Sequence, residues 1–212
     1  YVEDTYRPSS RWSLQGGLRG SYFAAGSYFR LAPRFSIDYQ PWNRVRLQLA
    51  GGRYHQHLTL NASQFLSSFD AWLPAGAGVS PSYGDQLGLG IKTTLGAGFR
   101  FDLEGYYRSM NDLFELDPRR GDTSSKSYRE LFQFGHGYAY GLEAMLKRSS
   151  GRLNGFAAYT YGKTRRQFPS INGGRYYAPR HDRTHHLSLV ASYHVTDQWK
   201  LSSTFTYTSG QP

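Results

Sequence analysis

The chain has 212 residues, 25 Lys+Arg against 15 Asp+Glu, a net charge of +10 and a mean hydropathy of −0.61. No run approaches the ~18 apolar residues of a transmembrane helix, and 13 Phe, 18 Tyr and 4 Trp are too many for a disordered chain. The absence of cysteine excludes disulfide frameworks, thiolate metal sites and cysteine nucleophiles.

Residues 1–4 read as a strand stub. They lack the charged and apolar regions of a signal peptide, so the chain is expected to be cytosolic or an internal piece of something larger. From Trp12 onward the residues alternate with period 2, which marks strands with one apolar face. Trp12, Leu14, Leu18 and Tyr22 interleave with Ser13, Gln15, Arg19 and Ser21. Phe29, Leu31, Phe35, Ile37 and Tyr39 interleave with Arg30, Arg34 and Asp38, and Val45, Leu47 and Leu49 with Arg46 and Gln48. A weaker strand covers 87–92. Phe99, Phe101, Leu103 and Tyr107 then oppose Arg100, Asp102, Glu104 and Arg108, and Tyr138, Tyr140, Leu142 and Leu146 oppose Glu143 and Lys147. Weaker strands at 153–164 and 187–195 lead to a last one, where Trp199, Leu201, Phe205 and Tyr207 oppose Lys200, Ser202 and Thr204. The reading is nine strands and a stub, with no charge among these apolar-face residues.

Strand length then selects the solvent. The segments run to about 10–13 residues, whereas strands of soluble domains average ~5–6 and a tilted membrane-spanning strand needs ~9–11. The polar face carries several charges per strand, too many for a sandwich core. A barrel that is apolar outside and polar inside meets both conditions. Short turns at 5–10, 40–43, 93–98, 149–152 and 196–198 alternate with longer loops at about 57–85, 111–136 and 163–185, and only 24–28 breaks the long series. Transmembrane barrels have this asymmetry, with short periplasmic turns and long extracellular loops. On that assignment Trp12, Trp42 and Trp199 share one rim, where aromatic girdles lie.

Several segments resemble a known family: SLQGGLRGSYF, LAPRFSIDY, LAGGRYHQ, EGYYRSMNDLFE, GYAYGLEAMLKRSSGRLNGFAAYTYGKTRR, DRTHHLSLVASY and WKLSSTFTYTSGQP. In order and spacing they resemble the second half of the barrel of TonB-dependent outer-membrane receptors. The resemblance implies an all-β antiparallel transmembrane β-barrel of 22 strands with a plugged lumen. This chain would supply about ten of those strands, roughly the tenth to the nineteenth, with the plug domain and the TonB-contacting segment elsewhere in the same polypeptide. Two open edges would leave backbone groups unpaired in lipid at several kcal/mol each, so the chain is expected to be a partial barrel spanning 1–212. The resemblance further implies import of a scarce, large ligand, such as a siderophore, cobalamin, haem or a glycan, across the bacterial outer membrane with energy relayed by TonB. A passive porin, or a barrel enzyme, is the alternative.

Twenty of the 25 cations are Arg, whose forked guanidinium suits carboxylate and phosphate. They are spread along the strands instead of forming one patch, so nucleic acid is not an expected partner. Residues 163–185 hold Lys163, Arg165, Arg166, Arg175, Arg180 and Arg183 against Asp182. A basic mouth of this kind concentrates an anionic ligand; contact with lipopolysaccharide phosphates, or solvation, is the competing reading. Arg165, Arg166 and Arg180 are therefore candidate substrate-binding residues, together with Arg108 on the polar face and Tyr54 and His55 where a strand reaches the loop side. For the last two, girdle packing competes. Charges on the polar face, Glu104 and Glu143 among them, either line a transport path or pair across strands and with the plug. His181, Asp182, His185 and His186 offer ligands suited to Zn or Fe, but neighbours in an extended chain point to opposite faces, and neither metal nor cofactor is assigned. Asp112, Asp182, His136 and His185 could supply acid–base chemistry at a barrel mouth, yet nothing in their spacing requires it, and no catalytic residue is assigned.

Overall fold

The computed structural model of the protein describes residues 1–61, 71–117 and 127–210. Those parts of the expected loops that fall on 62–70 and 118–126, and the final Gln211-Pro212 of the last quoted segment, lie outside the described residues. The strands are β1 Val2–Ser9, β2 Trp12–Phe23, β3 Tyr28–Trp42, β4 Val45–Gln56, β5 Leu58–Asn61, β6 Ala71–Pro74, β7 Ser82–Gly96, β8 Phe99–Leu116, β9 Phe132–Arg148, β10 Leu153–Gln167, β11 His185–His194 and β12 Lys200–Thr208. Ten of them form one antiparallel sheet in the order β1-β2-β3-β4-β7-β8-β9-β10-β11-β12, and β5 pairs with β6 in a separate hairpin. The sheet is open, with β1 and β12 at its edges, so the barrel expected from the alternation stands here as an unclosed wall.

Register keeps each pleat face chemically uniform. Ile37 faces Leu49, Leu49 faces Leu89, Leu103 faces Ala144, and Leu189 faces Phe205. A one-residue slip in any pair would turn a whole apolar row to the polar side. The apolar rows are not covered by a second sheet: Leu18 is 46%, Leu89 60% and Phe205 54% exposed. Among the described residues, 33 large apolar or aromatic side chains are exposed, whereas Ala75, Val79, Phe114, Phe132 and Phe168 make up the buried hydrophobic set. At about 1.5–3 kcal/mol for each large side chain taken out of water, that surface demands an apolar environment.

Aromatic rings mark both ends of the apolar face. Trp12 stacks on Tyr39 with centroids 4.1 Å apart beside the short turns. At the opposite end Tyr107, Tyr138 and Tyr140 form a stacked series with centroids 6.4 and 6.3 Å apart.

Several strand ends differ from the sequence reading: β7 extends the expected 87–92 to Ser82–Gly96, β10 runs on to Gln167, and the hairpin β5–β6 lies within the loop expected at 57–85. The stub is an eight-residue strand whose pairing with β2 runs from Val2↔Leu18 to Ser9↔Trp12, because a long neighbour supplies partners through the expected turn. β8 and β9 continue to Leu116 and Phe132 past a bulge at Met110/Leu113, where Asp112 adopts φ 52°. A bulge resets the alternation, so period 2 fades in the sequence while hydrogen bonding continues. The break at 24–28 is a single 3-10 turn, Ala24–Gly26.

Beyond the girdle at the loop end the described residues form a small core. Val79, Phe114 and Phe132 are packed by Leu73, Tyr128, Leu131 and Phe134, with Phe132 edge-on to Phe114 at 5.3 Å and to Tyr128 at 5.0 Å. Burial raises the pKa of the Tyr128 hydroxyl, which donates to the Pro74 carbonyl at 2.8 Å.

Candidate functional site

Two regions concentrate polar chemistry: the polar face of the sheet, and a strap of residues 168–184 that returns over the upper end of β10. On the polar face a network runs across β1–β4. Arg34 pairs with Glu3 at 2.9 Å, the Gln15 amide donates to Glu3 at 2.7 Å, Ser36 donates to Gln15 at 3.2 Å, and the Gln48 amide donates to Asp38 at 2.6 Å. These groups border a concave region of about 490 Å³ that reaches Gln86 and Glu104. Arg108 belongs to the same face and donates to Gln86 at 3.0 and 2.7 Å.

One pair on this face lacks neutralisation within the wall. Glu104 and Glu143 are register partners on β8 and β9, so the two carboxylates stand directly opposite each other. Like charges at opposed positions destabilise a sheet. Asp102, one pleat away, is held by Arg100 at 2.9 Å, and the salt bridges of the described residues leave Glu104 and Glu143 to whatever occupies the space before them. The floor beside them is cleared by Gly141, where a Cβ would stand 2.7 Å from the Tyr106 hydroxyl. Sequence alternation assigned both acids to one face, but only the register reveals that they meet.

The six candidate substrate-binding residues divide. Tyr54, 58% exposed, lies on the polar face opposite Gly84, two residues from the Gln86 that receives Arg108, so these two candidates share one surface. His55 turns to the other face, where its Nε2 lies 3.1 Å from the Leu31 carbonyl and its ring 6.1 Å from Tyr83. There, Arg53 and Asp85 form a two-pronged pair at 2.7 and 2.8 Å.

Arg165 and Arg166 are strand residues of β10, opposite Tyr138 and Gly137 respectively, and therefore point to opposite faces. Arg165 donates to Asp182 at 3.1 Å, and the other Asp182 oxygen accepts the Thr164 amide at 3.0 Å. Arg166 pairs with Glu115 at 3.3 Å, and its backbone bridges to Tyr177. Arg165 thus fastens the strap through its guanidinium and Arg166 through its backbone, while the Arg166 guanidinium ties β10 to β8. Arg180 remains exposed on it.

The strap is anchored along its length. Phe168 is fully buried, the Gln167 amide donates to the Gly174 carbonyl at 2.7 Å, Ser170 donates its amide to Gln133 at 3.1 Å, and the Gly162 amide donates to Thr184 at 3.0 Å. Burial and the neighbouring Glu115 carboxylate push the Tyr177 hydroxyl up to about 12. Burial, then the Arg166 charge, lowers the pKa of His181.

The histidine-rich stretch is engaged locally. His185 meets the Tyr159 hydroxyl at 2.8 Å, and His186 the Thr208 hydroxyl at 2.9 Å on the opposite face. His136 meets the Tyr176 hydroxyl at 3.0 Å while Asp182 is tied to Arg165, so the acids and bases considered for catalysis serve separate contacts.

An exposed apolar face between two aromatic belts and a charged opposite face make a transmembrane wall, and the comparisons agree. The family described as TonB dependent receptor-like, beta-barrel, matches residues 1–212. The chain belongs to that family. It is a family of outer-membrane receptor and transporter barrels, not of enzymes. Comparison with curated proteins finds no match.

Proposed function

We propose that this TonB-dependent receptor barrel segment is part of the wall of a closed 22-stranded outer-membrane pore that imports a scarce, large ligand. The lumen is filled by a plug domain of the same polypeptide, and TonB acts on that plug. Closure joins the edges β1 and β12 to further strands, which removes the unpaired backbone groups that lipid does not tolerate.

The observation that carries the reading is the facing pair Glu104/Glu143. Two opposed carboxylates in a confined lumen persist where a cation from another surface sits between them. A basic side chain of the plug supplies that cation, and its withdrawal from between the carboxylates would release the plug during transport.

The same reading assigns the loops at 57–85, 111–136 and 163–185 to the extracellular side. There Lys163 shares the pleat face of Tyr159 and Tyr161 and meets lipopolysaccharide phosphates beside the outer leaflet. Tyr54 and Arg108 face the ligand path.

The test uses the full-length protein in its own outer membrane. A Glu104→Lys/Glu143→Lys variant that still assembles is expected to lose TonB-dependent uptake. Uptake that is unchanged in this variant, and equal with and without TonB, would leave a passive porin instead.

A further inference from the structure

We propose that the loop end of β2–β4 holds an oxyanion-binding recess, lined by Arg19, Tyr54 and His57 and bordered by Arg30, that takes a carboxylate, sulfonate or phosphate group of the imported solute. The inference rests on the barrel reading above, in which the polar face looks onto the lumen. It adds to that reading the charge of the cargo and the place where that charge is held.

The recess measures about 300 Å³ and is lined by Arg19, Phe23, Arg34, Tyr54 and His57 among others, with no carboxylate in its lining. Register places a second cation at its border: Arg19 lies opposite Ala32 and Arg30 opposite Ser21, itself a lining residue, so both point to the polar face on adjacent strands. The nearest acids are already committed, Glu3 to Arg34 at 2.9 Å and Asp85 to Arg53 at 2.7 Å. Arg30 donates to the neighbouring Phe29 carbonyl at 3.0 Å and lies 5.0 Å above the Tyr28 ring, contacts that leave its charge uncompensated. Arg19 has no salt bridge among the described residues.

His57 closes the recess. Its ring stacks on Phe23 at 4.9 Å, and its buried Nδ1 has no hydrogen-bond partner among the described residues. Burial first, then His55 and the Arg30 and Arg19 charges, disfavour its protonated form. A buried polar atom left unpaired is costly, and two guanidiniums without an acidic partner near it raise the local potential further. An oxyanion beside the imidazole accepts from both guanidiniums at once and offsets their charge. Phe23 and the half-exposed Tyr54 ring flank that position and favour a solute with a flat apolar part beside its charge. A lipid headgroup cannot supply the anion, because lipid meets the other face. The loop arginines do not compete, since Arg165 and Arg166 are occupied by Asp182 and Glu115.

The experiment titrates the purified full-length receptor in detergent micelles with 8-hydroxypyrene-1,3,6-trisulfonate, a flat trianion, followed by fluorescence anisotropy. Arg19→Gln/Arg30→Gln is expected to weaken binding at least about tenfold, the scale of losing charge-assisted hydrogen bonds. Arg11→Gln/Arg44→Gln is expected to leave binding within about twofold, because those side chains lie in the short turns at the opposite end of the strands. Arg19→Lys/Arg30→Lys, which keeps the charge, retains saturable binding and replaces the glutamine variant should the latter fail to assemble. Absence of saturable binding to the wild type, or equal affinity in the glutamine variant, overturns the recess. TonB-dependent uptake by the wild type, measured in parallel, separates the two ideas: uptake that persists without probe binding sinks the recess alone, and uptake independent of TonB sinks the transport reading.

Discussion

Trp12 and Tyr207 lie on one continuous hydrogen-bonded row. It passes from Trp12 through Tyr39, Leu47, Ile91, Leu103, Ala144, Tyr159 and Leu187 to Tyr207, each residue facing the next across neighbouring strands. The first belongs to the aromatic rim beside the short turns, the last to the rim at the loop end. Eight steps of about 4.8 Å span roughly 38 Å, and a climb across an apolar band about 25 Å tall over that distance requires a tilt of about 40°. That is the tilt of strands in transmembrane barrels.

The row therefore predicts depths. In the bilayer-inserted full-length protein, Trp12 and a Tyr207→Trp substitution are both expected at headgroup depth, on opposite leaflets. Quenching by lipids brominated at graded depths, combined with an impermeant aqueous quencher added from one side, reads both properties. Quenching of both residues from the same side would contradict the tilt and the membrane assignment together.

Leu103 sits at the midpoint of the same row and hence at the bilayer midplane. Leu103→Arg is expected to cost about 2–4 kcal/mol of stability in lipid and to reduce assembled barrel. Ser202 is on the polar face of β12, where its hydroxyl meets that of Ser192 at 2.9 Å. Ser202→Arg forfeits that one bond, about 0.5–1.5 kcal/mol, and is expected to assemble normally. Heat-modifiable electrophoretic mobility of outer-membrane fractions compares the two, and equal tolerance would count against the face assignment.

The strands were legible because burial on one side and charge on the other impose period 2 on residues close in sequence. Trp12–Tyr22, Phe29–Tyr39 and Phe99–Tyr107 each declare their lipid and water faces without any partner. What escaped was set by partners distant in the chain. Glu104 and Glu143 meet only through the β8–β9 register, and the β8–β9 extension begins beyond a bulge that reverses the alternation. Arg165 and Arg166 read as a basic loop because the acids that neutralise them, Asp182 and Glu115, are 17 and 51 residues away. The +5 charge of that segment is therefore less available than its composition suggests.

Asp182 holds the strap through two charge-assisted contacts, from the Thr164 amide and the Arg165 guanidinium. Asp182→Asn keeps the shape but removes the charge, and is expected to cost about 1.5–3 kcal/mol locally. The loss falls on residues 168–184 and not on the sheet. Limited proteolysis of intact cells should cut this segment faster, with barrel abundance unchanged. Loss of the whole barrel would instead give Asp182 a global folding role.

Acidification is expected to loosen the same strap through His181. Its pKa in the folded chain is lowered, first by burial and then by the Arg166 charge, with Asp182 opposing. The unfolded segment therefore binds a proton more readily than the folded one. The stabilisation from neutral His181 is complete above the unfolded value of about 6.5, and it is lost as pH falls through that value toward the lower folded one. Hydrogen exchange of the Gly162 and Tyr177 amides, which bond to Thr184 and Arg166 across the strap at 3.0 and 2.9 Å, reports the loosening after correction for intrinsic rates. Protection should decline between about pH 7 and pH 5.5 in the wild type and vary far less in His181→Gln. Parallel profiles for the two proteins would assign the pH response to another group.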